Sequence, residues 1–281
     1  MTLNHASAPQ QHIEDRKDTL VQNAVILAAG FGSRLASRSD SKPLATIKGM
    51  TLIEISVRQA IAAGVQKIVV VTGHKADEVE AELVRLSSSM DCTITPRRID
   101  DWTKPNGWSV IAGASGLAGP FLLMMADHIF GDGVLDRLAM QSLTEEDAIL
   151  ATDRIDNPLV DPDDATWVAL KKPSPTCGGR INKIGKDIAD YDVVDCGGFL
   201  ANANLPRAIE SAIDAGKPGS LSDGMQALAD LGRAATIDID GGWWIDVDDP
   251  RAHDLADAHI ADHLAIFALG QTLAAKDDRA A

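Results

Sequence analysis

The chain has 281 residues, with 26 Lys+Arg against 41 Asp+Glu and a net charge of −15, a balance that argues against nucleic acid as a partner because phosphate backbones are bound by basic surfaces. Its 45% hydrophobic and 24% charged composition is globular and excludes disordered and fibrous classes. Three cysteines, Cys92, Cys177 and Cys196, form no CxxC pair, so neither a disulfide framework nor a zinc knuckle is expected, and a reducing cytoplasm is the default setting.

Residues 1–20 lack the apolar core of a signal peptide and are expected to form a flexible tail. No apolar run approaches the ~20 residues that cross a bilayer, so membrane insertion is not expected. Residues 23–29 read as a continuous apolar strand that ends in a Gly-rich loop. Residues 51–63 then place Leu52, Ile53, Ile55, Val57 and Ile61 at helical spacing, and Gly64 stops that helix. A buried strand follows at 67–72, then a helix through 78–84. Residues 121–126 form another fully apolar strand that runs directly into Asp127-His128. Such alternation predicts parallel strands with helices on both faces and a ligand site beyond the carboxyl ends of the strands.

Residues 147–199 change character, with short β-branched segments broken by Pro158, Pro162, Pro173, Pro175 and Gly178-Gly179, which predicts a β-rich extension that lids the site. Two helices, a strand at 234–239, the apolar-acidic stretch 243–248 and a final helix from about Pro250 complete the order. The expected fold is one α/β domain over 21–262, an open, mostly parallel, Rossmann-like sheet with helices on both faces, followed by a C-terminal helix end and tail over 263–281.

The loop Leu27-Ala28-Ala29-Gly30-Phe31-Gly32-Ser33-Arg34-Leu35, followed by Lys42-Pro43-Leu44, carries the most information. It is not a GxxxxGK phosphate loop, and Leu35 stands where a dinucleotide fingerprint needs its third glycine. A Gly-rich strand-to-loop junction still offers backbone N–H groups to phosphate, and Arg34 and Lys42 add two cations on an anionic protein. On the glycines alone, a tight turn with two solvated basic residues is an equal reading.

That loop resembles the GxGxRL signature, with its downstream lysine, of nucleotidyltransferases that activate phosphorylated metabolites. The likeness continues in Val71-Thr72-Gly73-His74, Asn106-Gly107-Trp108-Ser109-Val110, Met125-Ala126-Asp127-His128, Asp164-Ala165-Thr166-Trp167-Val168, Ile184-Gly185-Lys186 and Asp195-Cys196-Gly197-Gly198-Phe199. Within that superfamily the order is most similar to inositol-1-phosphate cytidylyltransferases.

The resemblance implies attack by an acceptor phosphate on the α-phosphorus of CTP, with pyrophosphate leaving and Mg²⁺ as cofactor. It assigns Arg34 to the β and γ phosphates, Lys42 to the α-phosphate, and Asp127 and Asp246 to Mg²⁺, with Asp248 the weaker choice for the second. Lys186 matches the lysine that holds the acceptor's phosphate, in competition with Lys171 and Lys172. Base recognition falls to backbone groups around Leu27, Ala28 and Ala29 and to an Asn106-Gly107 turn, with Ser109 as a helix cap, and Gly30, Gly32 and Ser33 of the loop also belong to the nucleotide site. Asp195 and Gly197 belong to the acceptor pocket, and Cys196 and Gly198, where the pattern departs from the family, are expected to line it too.

His74 and His128 invite a catalytic reading because free histidine titrates near neutrality, but an acceptor phosphate already ionised at pH 7 needs no general base, so His128 is expected to fix the turn beside Asp127. Trp243 and Trp244 are expected to form a packed wall. The chain is expected to be a stand-alone enzyme whose product passes to a separate membrane transferase. Phosphocholine or an aminoalkylphosphonate is the alternative acceptor, and a hexose-1-phosphate nucleotidyltransferase or a metabolite-sensing subunit of the same fold the alternative function.

Overall fold

The computed structural model describes residues 21–172 and 178–267. The expected N-terminal tail, most of the C-terminal tail, Pro173, Pro175 and Cys177 lie outside the described residues. The chain opens with β1 (Asn23–Ala28), a small hairpin of β2 (Thr46–Ile47) and β3 (Met50–Thr51), and α1 (Leu52–Ala62). It continues through β4 (Lys67–Thr72), α2 (Ala76–Ser89), β5 (Thr93–Arg98), α3 (Asn106–Ala114), β6 (Phe121–Met125), β7 (His128–Phe130) and α4 (Val134–Ala139). Then come β8 (Ala148–Arg154), β9 (Trp167–Leu170), β10 (Gly179–Gly185), β11 (Val193–Ala201), α5 (Asn204–Asp214), α6 (Leu221–Asp230), β12 (Ala234–Asp238), β13 (Trp244–Asp246) and α7 (Pro250–His263).

Strands β5, β4, β1 and β6 lie side by side and parallel. Along β1, Ala24, Ile26 and Ala28 pack into one apolar cluster while Val25, Leu27 and Ala29 pack into another, so both faces of this half are covered. Helix α1 supplies Ile53, Val57 and Ala60 to the first face, and α3, α5 and α6 supply Val110, Ile209 and Met225 to the second. Local signals set the ends: Thr51 accepts from the Glu54 N–H at the start of α1, and Gly64, at φ 93°, takes the left-handed turn that follows it.

The expectation of an open, mostly parallel sheet holds only for this half. Strand β11 pairs antiparallel with β6, and β11, β8, β12, β10 and β9 pair in sequence until β9 returns to β11, closing a five-strand ring. Within the ring only β8 and β12 are parallel. The reason is connectivity: among the described residues no helix intervenes between β8 and β11, so the chain folds back by antiparallel steps. The expected lid is therefore mainly this ring, which lines the cavity through Leu159, Val160, Asp161 and Asp164 between β8 and β9 and through Lys186, Asp195 and Gly197 beyond them.

A buried polar anchor secures the junction. Asp147, 2% exposed, accepts from the amides of Asn202 (3.0 Å) and Asn204 (2.8 Å) and from the Arg233 guanidinium. Arg233 first, then the two amides, hold its carboxyl down at about 2 against the cost of burial.

Candidate active site

A cavity of about 420 Å³ opens where the carboxyl ends of β1 and β6 meet the ring. The topology explains the placement: parallel strands deliver their following loops to one edge, and β11 crosses that edge in the opposite sense with Asp195, Gly197 and Phe199 facing inward.

Arg34 sits in a single 3₁₀ turn (Ser33–Leu35) and Lys42 begins another (Lys42–Leu44). Gly32 lies at φ 64°, and a Cβ there would collide with the Lys42 side chain, so the second glycine of the loop is what lets Lys42 reach the cavity at 8% exposure. Lys42 Nζ pairs with Asp127 and Asp248. Arg34 pairs with Asp248 and Asp164, and Lys186 Nζ pairs with Asp164. Asp164 thus joins the loop cation to the distant lysine. The sequence contained Asp164 in a motif that resembled the family's, yet no side-chain role was attached to it.

Asp127 follows β6 and Asp246 ends β13, the strand paired with β7, so two separate segments bring the carboxylates together. Asp127 Oδ1 lies 3.0 Å from His128 Nδ1, and Asp246 Oδ1 lies 3.7 Å from the same nitrogen. The His128 ring stacks on buried Trp244 at 6.1 Å, whose indole N–H donates to Asp153 (2.9 Å). Gly197, at φ 79°, passes so close to the ring that a Cβ would strike it, and it sits where β11 shifts register against β8. Trp243 instead stacks on His263 at 4.7 Å, outside the cavity lining.

The electrostatics follow from burial and neighbours. Burial pushes Asp127 up, but the Lys42 charge and the His128 contact outweigh it and hold the carboxyl below the ordinary range. Burial acts on Asp246 the same way and, with Asp127 close by, leaves it raised. Burial lowers His128, yet Asp246 and Asp127 override it and push the imidazole up to about 9. Asp195 is pushed up to about 6 by burial, against the Gly197 N–H that its Oδ1 accepts.

Among the described residues two sets of groups could hold a metal ion, Asp127, His128 and Asp246, and Asp164, Asp246 and Asp248, with the ligand atoms of each set within 4.8 Å of one another. Asp246 Oδ1 is buried with no hydrogen-bond partner. An orphaned carboxylate oxygen beside a second aspartate suits a hard divalent cation.

Most expected site residues line the cavity: Leu27, Ala29, Gly30, Asn106 and Ser109 on one side, Lys186, Asp195 and Gly197 on the other. Others do not. Ala28 is 2% exposed inside β1, and Gly32, Ser33 and Gly107 are absent from the lining. The Asn106-Gly107 pair is the first turn of α3, not a tight turn, and Asn106 Oδ1 accepts from the Leu221 N–H (2.9 Å), which ties α3 to α6. Gly107 is there because a Cβ would meet the Gly219 carbonyl. Ser109 lies inside α3 and caps nothing. Cys196 is buried in the core and Gly198 packs on Phe130, so neither lines the pocket. Lys171 and Lys172 lie away from it. Trp102 and Arg251 also line it and carried no signal in the sequence, and Thr166 lines it from the motif that begins at Asp164.

Comparison with known proteins now bears on this geometry. The chain is 35% identical over 231 residues to the "Bifunctional IPC transferase and DIPP synthase" of Rubrobacter xylanophilus, covering 81% of this chain and 49% of that one. It is 28% identical to the protein of the same description from Aquifex aeolicus, over 83% of this chain and 50% of that one. The chain therefore spans about half the length of these curated relatives. The inositol-1-phosphate CTP transferase from T. maritima superposes with a TM-score of 0.73 at 22% identity, over 87% of this chain and 98% of that one, a likeness of fold. Residues 24–172 match the MobA-like NTP transferase domain, a stretch that includes the Gly-rich loop, Lys42, Asp127 and Asp164. With more than half of its length and the cationic loop of its cavity inside that match, the chain belongs to the MobA-like NTP transferase domain family, as a nucleotidyltransferase.

Proposed function

We propose that the chain is a Mg²⁺-dependent cytidylyltransferase that joins CTP and inositol 1-phosphate to give CDP-inositol and pyrophosphate. One observation carries this reading: a single cavity holds two cationic stations, Arg34 with Lys42 and Lys186 opposite, bridged by Asp164 and flanked by the carboxylates of Asp127 and Asp246. Two stations suit two phosphates that must meet. The relatives' names and the likeness to an inositol-1-phosphate CTP transferase support the substrates.

An oxygen of the acceptor's phosphate attacks the α-phosphorus, the bond from that phosphorus to the bridging oxygen breaks, and pyrophosphate departs. Lys186 orients the acceptor's phosphate, Lys42 takes the α-phosphate, and Arg34 takes the β and γ phosphates, whose charge grows as they leave. Phosphate oxygens replace Asp164 and Asp248 on these cations. Asp127 and Asp246 hold Mg²⁺, which when bound supplies positive charge to the phosphate oxygens. His128 orients Asp127, and Asp195 accepts a hydroxyl of the polyol.

A second acceptor reading has its own support: Asp161 and Asp195 line the cavity together with Asp164, the partner of Lys186, an acidic lining that also suits phosphocholine or an aminoalkylphosphonate. The test offers CTP, UTP, GTP and ATP against inositol 1-phosphate, glucose 1-phosphate, phosphocholine and 2-aminoethylphosphonate. The highest kcat/KM is expected for CTP with inositol 1-phosphate. A non-CTP optimum overturns the cytidylyl assignment, and CTP with a cationic acceptor overturns only the inositol part.

A further inference from the structure

The cavity is not uniform. Around Arg34, Lys42 and Lys186 it is crowded with charge, whereas the wall beside the end of β1 is built from Leu27, Ala29, Gly30 and Trp102. Trp102 lies in the segment between β5 and α3 and brings the large aromatic face to this wall. Its seat is shaped for it: Gly73 follows β4, and a Cβ there would meet Trp102 Cβ at 2.6 Å and the Ala29 carbonyl at 2.9 Å. The segment can close on the Gly-rich loop only because that side chain is missing.

Two further rings continue the surface. His74 lies 5.0 Å from the Trp102 ring, edge to face, and its backbone N–H donates to the Ala29 carbonyl (2.9 Å), so it is anchored to the start of the Gly-rich loop. Phe31, at the tip of that loop, meets His74 edge-on at 4.7 Å and lies 6.3 Å from Trp102. Phe31 is 45% exposed. A large apolar ring held at the surface on a phosphate-type loop, against two other rings, ties the loop's position to the aromatic wall.

We propose that Trp102 supplies the stacking face for the nucleobase, and that Phe31 acts through it, holding the Trp102 ring in place together with His74. The assignment rests on the nucleotide reading above and adds residues to it. The base needs a flat, uncharged surface within reach of the loop cations, and a π-face accepts any base. Trp102 therefore contributes affinity, not choice between bases. Phe31 is a positioning residue.

The experiment measures binding of CTP and of inorganic tripolyphosphate, which has no base, by titration calorimetry with wild type, Trp102→Ala, Trp102→Phe, Phe31→Ala and the Trp102→Ala/Phe31→Ala double variant. Trp102→Ala is expected to weaken CTP by about tenfold to hundredfold, the range of one base–aromatic stack. Tripolyphosphate should bind it as it binds wild type, and Trp102→Phe, which keeps a ring, should recover most of the CTP loss. Because Phe31 acts through Trp102, the double variant should lose no more CTP affinity than Trp102→Ala alone. Equal losses for CTP and tripolyphosphate in Trp102→Ala would mean a structural role and overturn the proposal, as would unchanged CTP affinity. Additive losses in the double variant would overturn the brace. If wild type prefers another triphosphate and Trp102→Ala loses that one selectively, the stacking role stands and the cytidylyl reading falls.

Discussion

The two halves of the sheet are built by different rules and contribute different things to the cavity. In the parallel half, β5, β4, β1 and β6 are joined by crossovers, β4, β1 and β6 are covered on both faces, and the site is made of segments just past the strand ends: the Gly-rich loop after β1, Trp102 after β5, Asp127 after β6. In the ring, antiparallel strands cross the cavity and the site is made of residues within or between strands: Asp195 and Gly197 at a register shift in β11, Lys186 just past β10, Asp164 before β9. In the proposed function, the first arrangement offers backbone and cations to the nucleotide and the second offers side chains to the acceptor. The division predicts that substitutions in the parallel half act on the nucleotide and those in the ring on the acceptor, except where Asp246, Asp248 and Asp164 tie the two together.

The largest expected effect falls on the two carboxylates proposed to hold Mg²⁺. Asp127→Asn and Asp246→Asn should each lower turnover by roughly 10²-fold or more, since each removes charge from the place where Mg²⁺ is proposed to sit. Pyrophosphate release at limiting Mg²⁺, with circular dichroism to verify folding, checks it. Near-native turnover in either variant removes that aspartate from the metal set.

How far the two halves were legible depends on the same difference. Fully apolar runs such as 121–126 announce buried parallel strands, and Gly30, Arg34, Lys42 and Asp127 follow such runs closely enough for their grouping to be read along the chain. Strand β5, Thr93–Arg98, is an edge strand that carries Pro96, Arg97 and Arg98, so its composition hides it. The ring was read as a lid because closure depends on β9 meeting both β10 and β11, a long-range pairing with no local signature. Asn106 was misread for the opposite reason: Asn-Gly signals a turn locally, and the α6 contact that makes it a helix start lies 115 residues away. Trp102 carried no pattern at all, since its position depends on the absence of a side chain at Gly73.

The next effect sharpens the division between halves. Lys186→Ala should raise the acceptor KM by about tenfold to hundredfold, the loss of one charge-assisted contact, with the CTP KM little changed. Lys171→Ala should change neither. Initial rates with each substrate varied in turn decide this, and a rise confined to the CTP KM would move Lys186 out of the acceptor site.

Gly197→Ala tests the packing beneath the chemistry. A Cβ at φ 79° is strained and would press on the His128 ring, so the variant should lose about 1–3 kcal/mol of stability. Urea unfolding measures it, and a midpoint equal to wild type would show that β11 shifts without cost.

The smallest effect lies far from the site. Because Asp147 has its carboxyl lowered from 3.8 to about 2 in the fold, it contributes stability that is fully present above pH 4 and is lost as the pH falls through about 2. The contribution is about 2 kcal/mol. Unfolding free energies of wild type and Asp147→Asn, measured between pH 5 and 2, should converge as the pH falls, and parallel curves would exclude the linkage.

The central claim is that one cavity delivers an acceptor phosphate to the α-phosphorus of CTP. Inositol 1-phosphate carrying ¹⁸O in its phosphate, incubated with the enzyme, CTP and Mg²⁺, tests it by mass spectrometry of both products. The account predicts CDP-inositol that retains every labelled phosphate oxygen, and pyrophosphate that carries none. Label in the pyrophosphate, or release of CMP with the acceptor unchanged, would contradict it.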